Sequence, residues 1–586
     1  MKKHTGNPVS PGIVVGKAFV YLESSNETPD FPRYNLRKNQ LETEWRRFLA
    51  ANDAALIEVR TLYQKAKRDM SKQNAAIFEA HTMMLEDTDF QDQLKDRLRS
   101  TLQNIEWVIN DVAHDLTSKL MVSPDAYMRE RAIDINDVLH RVMNKLLAVQ
   151  RVSLADLDDD VILVCHELLP SDMIAMSRDH VKGIVTELGG PTSHTAILAR
   201  AYEIPSVMGI TGICLEISNG ESLSVNGVSG EVIIELDKAA LVTVQSARGR
   251  YYRGVAELGE LRDVPAETKD GCRVCLKANI ELPDEADNAL RSGCDGIGLY
   301  RSEFLFLVPG KPTEEAEQFS AYSHVLQALG QLPVTLRTSD SGGDKLLPDF
   351  QSPNERNPIL GWRAIRFSLT WPELFKVQLR AMLRASVYGN LKIMFPMISG
   401  IEELEQAHGI LEEAKDELRQ RGEAFVEDIP VGTMIEVPSA AMTAEILAER
   451  SDFFSIGTND LIQYTMAVDR ANERVSYLAQ PFHPAILRFL KRTIDAAHDK
   501  GIVATMCGEM AGDARAVPLL LGMGLDEFSM SIPAIPLVKR VIRSATLTSC
   551  KQLAVLALAC TSYRDVDRLV DDWMQSELGI IRENTR

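Results

Sequence analysis

His194 stands in GGPTSHTAIL (189–198), with a hydroxyl residue on either side, a glycine pair before it and an aliphatic run after it. Paired glycines suit a tight strand-to-helix turn, and SHTAILARA then reads as the start of a helix, with Thr192 or Ser193 available as its cap. A helix start offers unpaired N–H groups and the positive end of the helix dipole. That setting favours a bound phosphate and disfavours the imidazolium, so a neutral imidazole there is a good phosphorus nucleophile. A capping or core histidine would give the same local pattern, and the other ten histidines, His81 and His483 included, are read as structural.

A second set of reactive residue types lies in the last 320 residues, at the ends of short apolar runs. These are Asn279, Arg301 with Glu303, Arg337, Met397, Glu436, Asn459 with Asp460, and Cys507 with Glu509. Arginine forks match phosphate or carboxylate oxygens two at a time. Arg301, Arg337 and Lys345 with the carboxylates Glu436 and Asp460 describe a multiply anionic ligand held together with Mg²⁺, a hard ion that takes oxygen ligands. SGGDK (341–345) offers backbone N–H groups to an anion, ERNPILGWRAIR adds Arg363, and YTMAVDR adds Arg470. Free cysteine is usually a small buried hydrophobe, but the position of Cys507 after the seventh run makes it a candidate proton donor. Cys272 and Cys275 form a C-x-x-C without a second Cys or His pair, so they are not read as a zinc site.

These residues need elements to hold them. The runs VCLKANI (274–280), GIGLYR (296–301), VTLRT (334–338), LKIMFPM (391–397), VGTMIEV (431–437), FFSIG (453–457), IVATMCGE (502–509) and LDEFSM (525–530) alternate with helical patterns. Eight strands with intervening helices predict a (β/α)8 barrel over 269–586, which places its chemistry at the strand C-termini. Upstream, residues 10–22 read as a strand. From Leu36 to Gln150 the pattern is helical, and β signals return in DVILVCHEL, HVKGIVTEL and ESLSVNGVSGEVIIEL. The expectation is an α/β domain built from 1–25 and 150–236, interrupted by an inserted helical subdomain at 26–149, with a connecting helix at 237–268.

The 586 residues allow two to four domains at about 100–200 each. A formal net charge of −19 and the absence of basic runs beyond two or three residues argue against a nucleic-acid binder. Eight sparse cysteines argue for a reducing compartment. The N-terminus is not read as a secretory signal, and no stretch approaches the roughly 18 apolar residues of a membrane span. The expected location is the cytoplasm.

SPGIVVGKAF (10–19), TSHTAILAR (192–200), GIGLYRSEFLF (296–306), RTSDSGGDK (337–345), NPILGWRAIR (357–366), DFFSIGTNDLIQYTMAVDR (452–470), MCGEMAGD (506–513) and LLLGMGLDEFSMS (519–531) together resemble the enzyme I family of the bacterial phosphotransferase system, the phosphoenolpyruvate–protein phosphotransferases. The resemblance implies that phosphoenolpyruvate and Mg²⁺ bind in the barrel. It implies that Glu436 and Asp460 hold the metal, and that Arg301, Arg337, Lys345, Asn459 and Arg470 hold phosphate and carboxylate, with Arg363 adjacent. It makes His194, on a swivelling α/β domain, the phosphorylated residue and Cys507 the donor that protonates the enolate carbon. The phosphoryl group then passes to the histidine of a small phosphocarrier protein docked on the helical subdomain, as the first step of sugar transport. Members dimerise through the barrel.

The chain departs from the family at several positions. Glu187 and Pro191 stand where Asp and Arg are usual, Met173 stands where members often carry a Thr that bonds the active histidine, and SKQN (71–74), with Lys72 and Gln73, replaces an often acidic docking segment. Two alternatives share the chemistry: a regulatory-branch paralogue, and a pyruvate-phosphate dikinase-like enzyme lacking its nucleotide domain. The first usually carries a sensory domain that residues 1–9 cannot hold. The second needs a nucleotide-grasp domain for which 1–9 and 26–150 leave no room.

Overall fold

The structure is a computed structural model that describes residues 2–21, 33–69, 78, 81–121, 126–147, 154, 157, 159–168, 172–173, 176–177, 179–190, 194–202, 204–306, 314–340, 357–469, 472 and 474–579. Lys345, Arg470, Pro191, Lys72, Gln73 and the SGGDK loop lie outside the described residues. The chain divides into two compact units, residues 1–255 and 256–586.

The first unit holds an eight-stranded mixed sheet. Its strands are β1 (Lys2–Thr5), β2 (Asn7–Ser10), β3 (Ile13–Tyr21), β4 (Val161–Cys165), β5 (Val181–Thr186), β6 (Ser206–Met208), β7 (Ser222–Asn226) and β8 (Glu231–Ile234), in spatial order β1-β8-β7-β3-β4-β5-β6-β2. β3, β4 and β5 are parallel neighbours, and β4 is buried at every position, which is why VILVC reads as an unbroken apolar run. The sequence reading missed β1 and β2. KKHT has no apolar residue to alternate, and β1 is an edge strand paired to β8.

Between β3 and β4 the chain forms the helices Leu41–Asp69, Thr88–Thr101, Ile105–Met121 and Ala126–Leu147. They close on a separate core that includes Trp45, Phe48, Val59, Phe78, Leu94, Ile109 and Val142. The helix predicted over 237–268 runs only from Lys238 to Gly259, and the residues after it form turns that lead to the isolated bridge Glu267↔Arg273.

The second unit is a closed barrel of eight parallel strands, β9 (Cys275–Ile280), β10 (Ile297–Arg301), β11 (Pro333–Arg337), β12 (Asn390–Phe395), β13 (Val431–Ile435), β14 (Phe453–Ile456), β15 (Val503–Met506) and β16 (Glu527–Ser531). β16 pairs with β9 to close it. Each predicted run is one of these strands. Helices such as Pro372–Ala385, Ile401–Arg421 and Pro484–Asp499 intervene and bury their apolar faces in one continuous core. Among the described residues no helix is long and apolar enough to cross a membrane, and all eight cysteines are free.

Candidate active site

Because all eight barrel strands run the same way, their last residues share one rim. Arg301 ends β10 and Arg337 ends β11, paired directly in register. Arg337 is only 7% exposed, and its Nη2 donates to the buried Glu303 while its Nη1 lies 3.1 Å from Asp340. Burial works against its charge, but Glu303, Asp340 and Glu436 more than offset this and hold the guanidinium protonated. Its backbone is fixed from behind: the Ser302 hydroxyl donates to the Arg337 carbonyl at 2.7 Å, and Gln378 from the helix Pro372–Ala385 donates to Ser302 at 2.9 Å.

Arg363 completes a bridge across the rim. Its Nη2 donates to both Asp340 oxygens at 2.8 and 2.9 Å and to Asp460 at 3.2 Å, and its Nη1 donates to the Tyr464 hydroxyl at 3.1 Å. Asp460 lies in the first turn of the helix Thr458–Met466, directly after β14. Arg301 pairs with Glu281, just beyond β9.

Glu436 follows β13 and is 2% exposed. Its Oε1 accepts from the Met397 amide at 2.6 Å, and Met397 takes a left-handed φ of 58° at the end of the fourth run to point that amide inward. Burial pushes the Glu436 carboxyl well above its ordinary range. Asp460 and Asp340 push it the same way, and Arg337 and Arg363 pull against them. The rim thus gathers three guanidiniums (Arg301, Arg337, Arg363) against five carboxylates (Glu281, Glu303, Asp340, Glu436, Asp460). Among the described residues, several buried polar atoms here have no partner: Arg337 Nε, Glu303 Oε2, Thr338 Oγ1 and Thr458 Oγ1. Buried polar atoms usually find a partner, so these are donors and acceptors that a bound group could use.

Cys507 follows β15 and is 4% exposed, packed with Leu299, Met394, Met434 and Phe453 inside the barrel. Its Sγ accepts from the Ser455 hydroxyl at 3.2 Å, and burial raises its pKa, which keeps it a neutral thiol able to give up a proton. Its carbonyl accepts from Asn279 Nδ2 at 2.9 Å, and Asn279 is itself held by Ser529 at 2.5 Å. The next residue must be glycine, since a Cβ on Gly508 would lie 1.9 Å from Thr458 Oγ1. That close approach lets Asn459 exchange two hydrogen bonds with Glu509, each 3.0 Å.

The structure therefore brings Arg301, Arg337, Arg363, Glu436, Asn459, Asp460 and Cys507 to one rim. Sequence reading missed Asp340, Glu281, Tyr464 and Ser455 as partners. Asp340 stood in plain view in RTSDSGGDK, three residues after Arg337, and that spacing was the available signal. Among the described residues no group of three or more His, Cys, Asp or Glu is arranged to hold a metal ion by itself.

His194 is in the first unit and opens the helix His194–Ala201. The preceding turn uses a left-handed Gly189 (φ 104°), as the glycine pair predicted. The Thr195 hydroxyl donates to the Leu168 carbonyl at 2.5 Å and ties the helix start to the segment that leaves β4. Met173 is fully buried with Leu168, Met176, Ile184 and Ala196, so it serves this unit as core.

Three family models match. PEP-utilising enzyme, N-terminal, covers residues 5–131; PEP-utilising enzyme, mobile domain, covers 157–230; and PEP-utilising enzyme, PEP-binding domain, covers 255–547. The phosphoenolpyruvate-protein phosphotransferase of Staphylococcus carnosus (strain TM300) is 41% identical over 575 residues, 98% of this chain and all of that one. Its namesake from Bacillus sp. (strain S) is 45% identical over 530 residues, 90% of this chain and 91% of that one. The Haemophilus influenzae protein of the same name is 40% identical over 570 residues, 97% and 99% of the two chains. The chain belongs to the phosphoenolpyruvate-protein phosphotransferase family.

Proposed function

We propose that this chain takes the phosphoryl group of phosphoenolpyruvate onto His194 and hands it to the histidine of a small phosphocarrier protein, releasing pyruvate as the first step of a sugar phosphotransferase system. The observation that carries this reading is the gathering of Arg301, Arg337 and Arg363 with Glu436, Asp460 and a neutral buried thiol on one rim of the barrel. Phosphoryl transfer needs positioning and charge neutralisation more than covalent help; the guanidiniums would serve the first, and a bound cation would complete the second.

In the proposed reaction a ring nitrogen of His194 forms a bond to phosphorus in line with the breaking P–O bond, whose electron pair passes to the enolate oxygen. Arg301, Arg337 and, outside the described residues, Lys345 and Arg470 hold phosphate and carboxylate, with Asn459 beside them. An anion entering the rim must compete with the carboxylates now paired to the guanidiniums. Cys507 then gives its S–H proton to the enolate carbon, and the Ser455 hydroxyl, already donating to Sγ, stabilises the thiolate that forms.

Two carboxylates in a site with excess negative charge fit Mg²⁺, which commonly takes one or two protein carboxylates and completes its shell with substrate phosphate oxygens and water. Glu436 and Asp460 are the residues that would hold it, and it would neutralise phosphate charge and orient the transferred group. The carrier docks on the helices between β3 and β4, the barrel unit forms a homodimer, and free cysteines throughout suit a cytoplasmic setting.

The test is incubation of the purified chain with radiolabelled phosphoenolpyruvate and Mg²⁺, with and without a purified histidine-containing carrier. Acid-labile label on the chain, moving to the carrier when it is added, is the expected result. ATP-dependent formation of phosphoenolpyruvate from pyruvate would instead favour a dikinase. Within the same assay Cys507→Ala should slow pyruvate release by about 10²–10⁴-fold with little change in phosphoenolpyruvate affinity, because a proton donor acts in the transition state. Normal turnover in that variant would reduce Cys507 to a packing residue.

A further inference from the structure

β4 and β5 are parallel neighbours with Cys165 opposite Thr186, so the residues that follow them, His166 and Glu187, leave the sheet side by side. His166 Nδ1 lies 2.6 Å from Glu187 Oε2, and Glu187 Oε1 accepts from the Cys214 amide at 2.9 Å. Burial would raise the Glu187 carboxyl, but the bonds from His166 and Cys214 outweigh it and hold Glu187 below its ordinary range. The carboxylate is therefore the acceptor and Nδ1 carries the proton. The His166 side chain is 40% exposed, and its Nε2 has no partner among the described residues.

The helix His194–Ala201 starts from the same edge. The Leu188 amide donates to the His166 carbonyl at 2.9 Å, Gly189 makes the turn, and Thr195 bonds the Leu168 carbonyl. Leu188 before that helix and Thr195 within it are thus both bonded to the short segment containing His166. Neither 165–168 nor 186–195 contains a lysine or arginine. Among the described residues the ionisable groups around His166 are the carboxyls of Glu167, on its own segment, and Glu187, with the Cys214 thiol bonded to Glu187 in turn. Burial raises Glu167 and His166 opposes that rise.

We propose that His166, oriented by Glu187, is the positively charged partner of the phosphoryl group carried at His194, a positioning residue that favours the phosphorylated state of this unit. A phosphoryl group adds close to two negative charges, and an imidazolium whose first proton is committed to a carboxylate offers its second to such an anion. The inference rests on the proposed phosphorylation of His194.

The experiment equilibrates the full-length chain with fixed ratios of phosphoenolpyruvate and pyruvate plus Mg²⁺ and measures phosphate on His194 by intact mass, from about pH 5.5 to 8.5, the range that brackets histidine titration. His166→Ala and His166→Gln should lower the equilibrium constant for phosphorylation by about tenfold at the acid end. Their deficit against wild type should be larger at the acid end than at the basic end. His166→Lys, permanently charged, should restore occupancy and keep it at high pH. Full recovery in His166→Gln would mean that a neutral hydrogen bond suffices and would overturn the inference, as would three variants indistinguishable from wild type. Should His166→Ala not fold, the comparison of Gln with Lys decides the matter. A wild-type chain that takes up no phosphate removes the functional reading and this inference with it, whereas a labelled wild type with unaffected variants removes the inference alone.

Discussion

His194→Ala is expected to abolish acid-labile phosphorylation by phosphoenolpyruvate, leaving label at the level of a blank, while calorimetry still detects phosphoenolpyruvate binding in the presence of Mg²⁺. The first half follows from the proposed nucleophile: alanine has no lone pair to offer phosphorus at the start of the helix His194–Ala201. The second half follows from the division of the chain into two units. Arg301, Arg337 and Asn459, proposed to bind the substrate, are on the barrel rim, and the supports of Arg337 (Glu303, Asp340, Ser302 and Gln378) belong to that unit alone. The substitution should leave the first unit folded, since the core beneath the helix is built from Leu163, Ile184, Ala199 and Met208. Undiminished label on the variant would overturn the central assignment. Label found on His166 instead would move the nucleophile to the neighbouring strand end.

The barrel was legible because a parallel sheet buried on both faces must be written in continuous apolar runs, and the eight runs are bounded by polar residues that turn out to be the rim. The identities of Arg301, Arg337, Glu436, Asp460 and Cys507 could therefore be read from strand ends alone. Their partners could not. Arg363 meets Asp460 across 97 residues of chain, and Asn279 reaches the Cys507 carbonyl across 228. A linear pattern carries no trace of such meetings, because the barrel's closure makes them. His166 shows the same blindness: its partner Glu187 is 21 residues away, and only the parallel register of β4 and β5 joins them. The missed strand β1 shows a different one. An exposed edge strand buries no side-chain face, so neither alternation nor an apolar run records it.

Glu436→Gln should act on activity and stability with opposite signs. With its folded-state pKa raised above the ordinary carboxyl value of about 4.3, Glu436 stabilises the metal-free fold below that value, and the benefit is lost as pH rises through the raised folded-state pKa. Near neutral pH the buried carboxylate, crowded by Asp460 and Asp340, therefore costs stability. Glutamine keeps an oxygen for the Met397 amide and removes the charge, so the metal-free variant should melt about 2–4 °C above wild type at pH 7.5, with the gap closing toward pH 4. The same variant should lose Mg²⁺-dependent turnover by a factor of about 10³ or more, as the proposed role of Glu436 as one of two oxygen ligands requires. Mg²⁺ should raise the melting temperature of wild type and leave that of Glu436→Gln nearly unchanged. Because the wild-type carboxyl must ionise to bind the ion, that stabilisation should grow with pH. Scanning calorimetry at pH 5 and 7.5, with and without Mg²⁺, reads all of these quantities. A variant that melts lower than wild type without metal, or that keeps an unchanged Mg²⁺ requirement, would mean that Glu436 is a structural carboxylate satisfied by its neighbours.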